Sequence, residues 1–124
     1  MPRHPNTTNR NGYRRRQLVA RIKATATHCS LCGQPLAPEA QWPDPLCTVI
    51  DEDIPRVKGG SPLDPDNCSA MHNQCNRFKG VMTLAEARQA LALGADVNKP
   101  MSKASKQQLF QQNIGKWQPS STIW

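Results

Sequence analysis

Acidic residues are scarce in this chain: nine Asp and Glu stand against sixteen Lys and Arg, for a formal charge of +7 and a pI near 9.5. That imbalance favours a polyanionic partner, nucleic acid first, although membranes and acidic proteins also attract basic chains. Aromatics are scarce too, with three Trp, two Phe and one Tyr in 124 residues, and hydrophobic residues make up only 37%. A large core is therefore excluded, and the length allows one domain at most. No run approaches the ~18 apolar residues of a membrane span, and no apolar signal region opens the chain. The expectation is a protein of a reducing cytoplasm with no membrane partner.

Proline, by contrast, is abundant at 11 residues, which implies a loop-rich fold that needs a staple such as a metal. Five cysteines are an odd number, so a complete set of internal disulfides is impossible. Cys29 and Cys32 flank Ser-Leu, while His72 and Cys75 flank Asn-Gln. Residues spaced this way sit too close to bridge easily and suit a zinc knuckle. Together they make a Cys3His set with no open position, the structural rather than the catalytic kind. The alternative is ordinary buried thiols and a satisfied histidine, and the paired spacing argues against it. Cys47 and Cys68 fall in expected strands and read as core. Cys68 in place of His72 as fourth ligand is disfavoured by that strand setting.

Residues 1–12 (MPRHPNTTNRNG) read as a mobile tail. Tyr13 to about Thr25 has Leu18, Val19 and Ile22 at helical spacing, with Arg14, Arg15, Arg16, Arg21 and Lys23 supplying charge. This predicts a basic amphipathic helix that either contacts phosphate or presents a solvated face. Gly33 permits the knuckle turn. Pro35, Pro38, Pro43 and Pro45 exclude regular structure over 35–47. Short strands are expected at Leu46–Ile50 and Asn67–Met71, with a short helix from Asn73 to about Phe78. Thr83-Leu-Ala-Glu86 is a capping-box signature opening a helix through Leu93, with Gly94 at its end. A further helix spans about Lys103 to Asn113, and Trp117 and Trp124 of the tail are candidates to dock on the domain. No internal repeat is visible.

Between the two ligand pairs lies Val49-Ile50-Asp51-Glu52-Asp53-Ile54-Pro55. With Gly59-Gly60, Asn67, His72-x-x-Cys75-Asn76 and Lys79-Gly80, this pattern resembles the HNH endonuclease family, in particular its small zinc-containing bacteriophage members. The resemblance runs from about Tyr13 to Gly80. It implies an α+β fold with a ββα-metal (His-Me finger) core over about 46–80, inside a nuclease domain of 13–94, followed by a helical extension and tail over 95–124. It implies a metal-dependent enzyme that nicks duplex DNA, in a setting of phage DNA packaging beside a terminase, in the host cytoplasm. By the same resemblance Asp51 and Asn76 hold a catalytic Mg2+ or Mn2+, Asn67 braces the loop and orients the base, and Zn2+ holds the scaffold.

Glu52 stands where the family has a histidine general base. Phosphodiester hydrolysis needs a base to activate water and a cation to neutralise the leaving oxygen. A glutamate (pKa ~4.3) is about two units less basic than a histidine (~6.5), so it accepts a proton with less driving force. Glu52 is either a weakened base or a further oxygen ligand, and the latter requires the strand to end or bend so that Asp51 and Glu52 converge. A solvated acidic turn is the simplest alternative. Arg14, Arg15, Arg16, Arg56, Lys58, Arg77 and Lys79 read as a phosphate track, and Gly59-Gly60 as backbone that a phosphate can approach. The competing classes are a zinc-stabilised DNA-binding module without catalysis and a structural zinc protein that recruits a partner through its helical C-terminus.

Overall fold

The structure, a computed structural model, describes residues 6–112. A long helix, α1 (Asn6–Thr25), leads into a turn-rich segment carrying Cys29 and Cys32. Strand β1 (Thr48–Glu52) and strand β2 (Cys68–His72) then form an antiparallel hairpin, and β2 runs directly into helix α2 (Asn73–Lys79). Helices α3 (Leu84–Ala92) and α4 (Lys103–Gln112) follow. The fold is thus a small mixed one, with helices around a two-stranded sheet. Among the described residues no helix is long and apolar enough to cross a membrane.

The hairpin register pairs Thr48 with His72, Ile50 with Ala70 and Glu52 with Cys68. Successive strand residues point to opposite faces, and the side-chain partners identify what covers each. Asp51 reaches Lys79 of α2, whereas Glu52 reaches Arg15 of α1. Helices α1 and α2 therefore sandwich the hairpin, each touching both strands.

The core is small. Met71, Phe78, Met82, Leu84, Ala87 and Ala90 cluster with Cys29, Leu31 and Cys75. Two of the largest fully buried side chains, Lys79 and Asn73, are polar. A core with so little apolar volume leaves a real need for a further constraint. Asn73 satisfies its buried amide by donating to the carbonyls of Pro43 and Asp44, and so ties the proline-rich segment to the start of α2.

Several boundaries differ from expectation for identifiable reasons. The first strand begins at Thr48 rather than Leu46, because the Asp44 side chain accepts from the Leu46 N–H and folds 44–47 into a turn. Leu46 is left exposed. The second strand begins at Cys68, since Asp64 caps a 3-10 turn that ends at Asn67. The basic helix begins earlier than the expected Tyr13: residues 6–12 belong to α1, which carries through Gly12 at the ~1 kcal/mol that a helical glycine costs. Residues 1–5 and 113–124, with Trp117 and Trp124, lie outside the described residues. The capping box of α3 is fully formed, with the Glu86 N–H donating to Thr83 Oγ1 at 3.1 Å and the Thr83 N–H to Glu86 at 2.9 Å. Gly94 takes the left-handed φ of 102° just past its end.

Candidate metal centre and acidic strand end

Cys29, Cys32, His72 and Cys75 converge from three places: the knuckle turn, the end of β2 and the first turn of α2. Their ligand atoms all lie within 4.8 Å of one another. Ligands on a tetrahedron with Zn–S near 2.3 Å sit about 3.8 Å apart, so a slight contraction brings this set to zinc geometry. Among the described residues it is the only group of three or more Cys, His, Asp or Glu so placed. The residues can hold a metal such as zinc.

Local backbone bonds set the knuckle. The Gly33 N–H donates to the Cys29 carbonyl, with Gly33 at φ 78°, and the Cys29 N–H donates to Gln34. The Cys32 N–H points at the Cys29 sulfur at 3.4 Å. The knuckle is joined to the sheet through the Ser30 N–H, which donates to the Ala70 carbonyl, and to α3 through Arg88, which donates to the Ser30 carbonyl. His72 is oriented from behind: its Nε2 lies 3.0 Å from the Pro35 carbonyl and donates to it. Nδ1 then carries the lone pair, and it faces the sulfurs of Cys32 at 3.4 Å and Cys75 at 3.9 Å. A backbone carbonyl that fixes the tautomer in this way is the usual support of a metal-binding histidine.

The thiols influence one another. A hydrogen bond from the Cys75 thiol holds the Cys29 thiol down to about 4. The same bond, ahead of burial, pushes Cys75 up. Burial raises Cys32. The downward shift falls on one sulfur and the upward shift on its neighbours, the direction expected of thiols crowded around one point. A central divalent cation relieves that crowding and favours all three thiolates.

The acidic strand end is arranged differently from a single carboxylate cluster. Asp51 accepts from the buried Lys79 ammonium at 2.9 Å. Glu52, on the opposite face, pairs with Arg15 at 3.0 Å. Arg15 also donates to the carbonyls of Pro62 and Ile50, at 2.6 and 3.2 Å, and approaches the sulfur of Cys68 at 3.3 Å. Asp53 accepts from Ser69, whose hydroxyl is also bonded to Ser30 of the knuckle. The strand keeps its alternation through Glu52, so Asp51 and Glu52 do not converge.

The loop between the strands is pinned by Asn67. Its Oδ1 accepts from the Ile54 N–H at 2.9 Å, and its Nδ2 donates to the carbonyls of Ile54 at 3.0 Å and Ser61 at 3.1 Å. Asn76 lies half-buried on α2, three residues and so one turn from Lys79 on the same helix face. Gly60 has a role the sequence reading did not give it. A Cβ there would lie 1.7 Å from the Ile54 carbonyl oxygen and 2.7 Å from the Asn67 amide, so the loop's own packing requires glycine.

The expected phosphate track also changes. Lys79 is buried, because its ammonium is spent on Asp51, and so it offers no surface cation. Arg15 is half-buried against Glu52, and Lys58 is paired with Glu86. Arg14, Arg16, Arg56 and Arg77 are exposed. Cys47 and Cys68 are buried away from the metal ligands, as core residues. No protein-family model, curated protein or solved structure matches the chain.

Proposed function

We propose that the protein is a metal-dependent DNA endonuclease of the HNH type, built on a ββα-metal core with a structural zinc. One observation carries the reading: the hairpin runs straight into α2, its loop is pinned by Asn67, and Asp51 is in contact with α2. Asn76 lies one turn before Lys79, the α2 partner of Asp51, which supports a site shared by Asp51 and Asn76. The charge of +7 supports DNA as the partner.

Asp51 and Asn76 would hold the catalytic ion. Both are half-buried, and a carboxylate with a carboxamide is a hard oxygen donor set that suits Mg2+ or Mn2+. Such an ion supplies charge neutralisation at the scissile phosphate. Lys79 holds Asp51 toward α2 and balances its charge. Asn67 fixes the loop that follows Glu52, so that carboxylate is presented from rigid backbone. Glu52 faces away from that ion and is paired with Arg15, so the base role requires two changes on DNA binding: Arg15 exchanges its carboxylate for a phosphate, and the end of β1 turns Glu52 toward Asp51. Exposed Arg14, Arg16, Arg56 and Arg77 position the duplex without reading its sequence.

A second reading is a zinc-stabilised DNA-binding module without catalysis. The observation that favours it is the occupation of both carboxylates by internal cations. Plasmid nicking with Mg2+ or Mn2+ decides between them. The nuclease reading expects wild type to nick and Asp51→Ala and Glu52→Gln to lose at least tenfold. Full activity in Glu52→Gln removes the base role. No cleavage with either ion, together with salt-sensitive DNA binding, establishes the second reading.

A further inference from the structure

A concave region lies along α1, where the helix passes the 36–42 segment and β1. Two adjoining cavities of about 540 and 430 Å³ share Lys23, Ala40 and Thr48 in their walls. The α1 wall is Arg15, Val19 and Lys23, spaced four apart and so on one helix stripe. The opposite wall carries Trp42, which is 71% exposed. The floor is Cys47 to Ile50, which includes the start of β1, a strand paired on one side only.

Apart from Arg15, which also holds Glu52, the residues of this groove take no part in the metal centre or the acidic strand end. A lone surface tryptophan needs no explanation, but this one stands across a groove from Arg15 and Lys23, on a helix that has no acidic residue. A flat aromatic across a groove from cations is the pairing that holds a nucleobase and its phosphates. The volumes fall in the range of small-ligand pockets, ~300–1,000 Å³, which suits one or two nucleotides. Stacking on Trp42 requires a base whose face is free, and a duplex keeps its faces covered.

We infer that the groove between α1 and Trp42 binds a single-stranded stretch of nucleic acid, with a base stacked on Trp42 and phosphates carried by Lys23 and its neighbours on α1. Its end at Arg15 adjoins Glu52, so a displaced strand in the groove lies beside the acidic strand end. The inference shares with the nuclease reading a nucleic-acid partner and needs no cleavage.

The test is fluorescence anisotropy of a labelled oligothymidine and of a blunt duplex hairpin with the full-length protein, without Mg2+ or Mn2+. Wild type, Trp42→Ala and Lys23→Glu are compared, and plasmid nicking is measured in parallel. The expected result is a loss of about tenfold or more in oligothymidine affinity in each variant, with duplex affinity changed less than threefold in Trp42→Ala. Unchanged oligothymidine binding in Trp42→Ala overturns the groove, as does a difference in emission between wild-type and Trp42→Ala free protein that shows Trp42 already buried by its own chain or a second copy. Wild-type nicking alongside that failure leaves the nuclease reading standing. Strand binding without nicking removes the nuclease reading alone.

Discussion

The ammonium of Lys79, 1% exposed, lies 2.9 Å from a carboxylate oxygen of Asp51, on a strand residue 28 positions away. A lysine this buried is tolerated only when paired, so the pair is both a clamp between β1 and α2 and a liability. Asp51→Asn leaves the charge uncompensated and is expected to cost about 3 kcal/mol or more. Asp51→Asn with Lys79→Met removes both charges and should recover most of that loss. Urea denaturation of the two variants measures it. An equal loss in both would show that the clamp is not electrostatic.

Gly60→Ala has no room. The added methyl meets the Ile54 carbonyl at 1.7 Å, against backbone that Asn67 holds in place. A loss of about 3 kcal/mol is expected, read as a lower denaturation midpoint at unchanged m-value. Gly59→Ala should cost less, through its φ of 94° alone, since nothing lies within 4 Å of its Cβ position.

Metal and fold are expected to be lost together. Zinc should be found at one ion per chain, and a strong chelator should abolish the cooperative unfolding transition. Cys29→Ser or His72→Ala should do the same, whereas Cys47→Ser should leave zinc content unchanged. Protons compete for the thiolates, so zinc affinity should fall steadily as pH is lowered.

Glu86 gives a pH dependence with a definite sign. Burial works to raise its pKa, but the Lys58 ammonium and the Thr83 N–H together outweigh it, and the net shift is downward. A depressed carboxylate pKa means stability present above the unfolded value of ~4.3 and lost as pH falls through the folded value. Lys58 is more than a third exposed, so solvent screening limits the ion pair to below about 1 kcal/mol. Wild type should exceed Glu86→Gln in thermal stability at pH 7, and the two should converge by pH 3.

What was legible in the sequence is local chemistry. Cys29 and Cys32 on one turn, His72 and Cys75 three apart, and Thr83 with Glu86 each carry their partner within a few residues, and each forms as read. The strand boundaries slipped because Leu46 looks like strand by composition, while Asp44 takes its N–H for a turn. Lys79 and Arg15 looked like surface cations because their partners, Asp51 and Glu52, are distant in sequence and meet them only across the hairpin. Gly60 looked like a phosphate loop because the contact that requires glycine comes from Ile54, across a 3-10 turn. Trp42 lies among prolines with no sequence signal of its own, since only the approach of α1 makes a groove beside it.

His72 closes β2, precedes α2 and is the only non-sulfur member of the metal centre. The centre therefore sits at the hinge between the strand that faces Asp51 and the helix that carries Asn76. An ion bound there would tie the two elements together, and one of different radius or preferred geometry is expected to alter how they meet. Cobalt or cadmium in place of zinc is then a means of perturbing the packing of α2 on the hairpin without changing a residue.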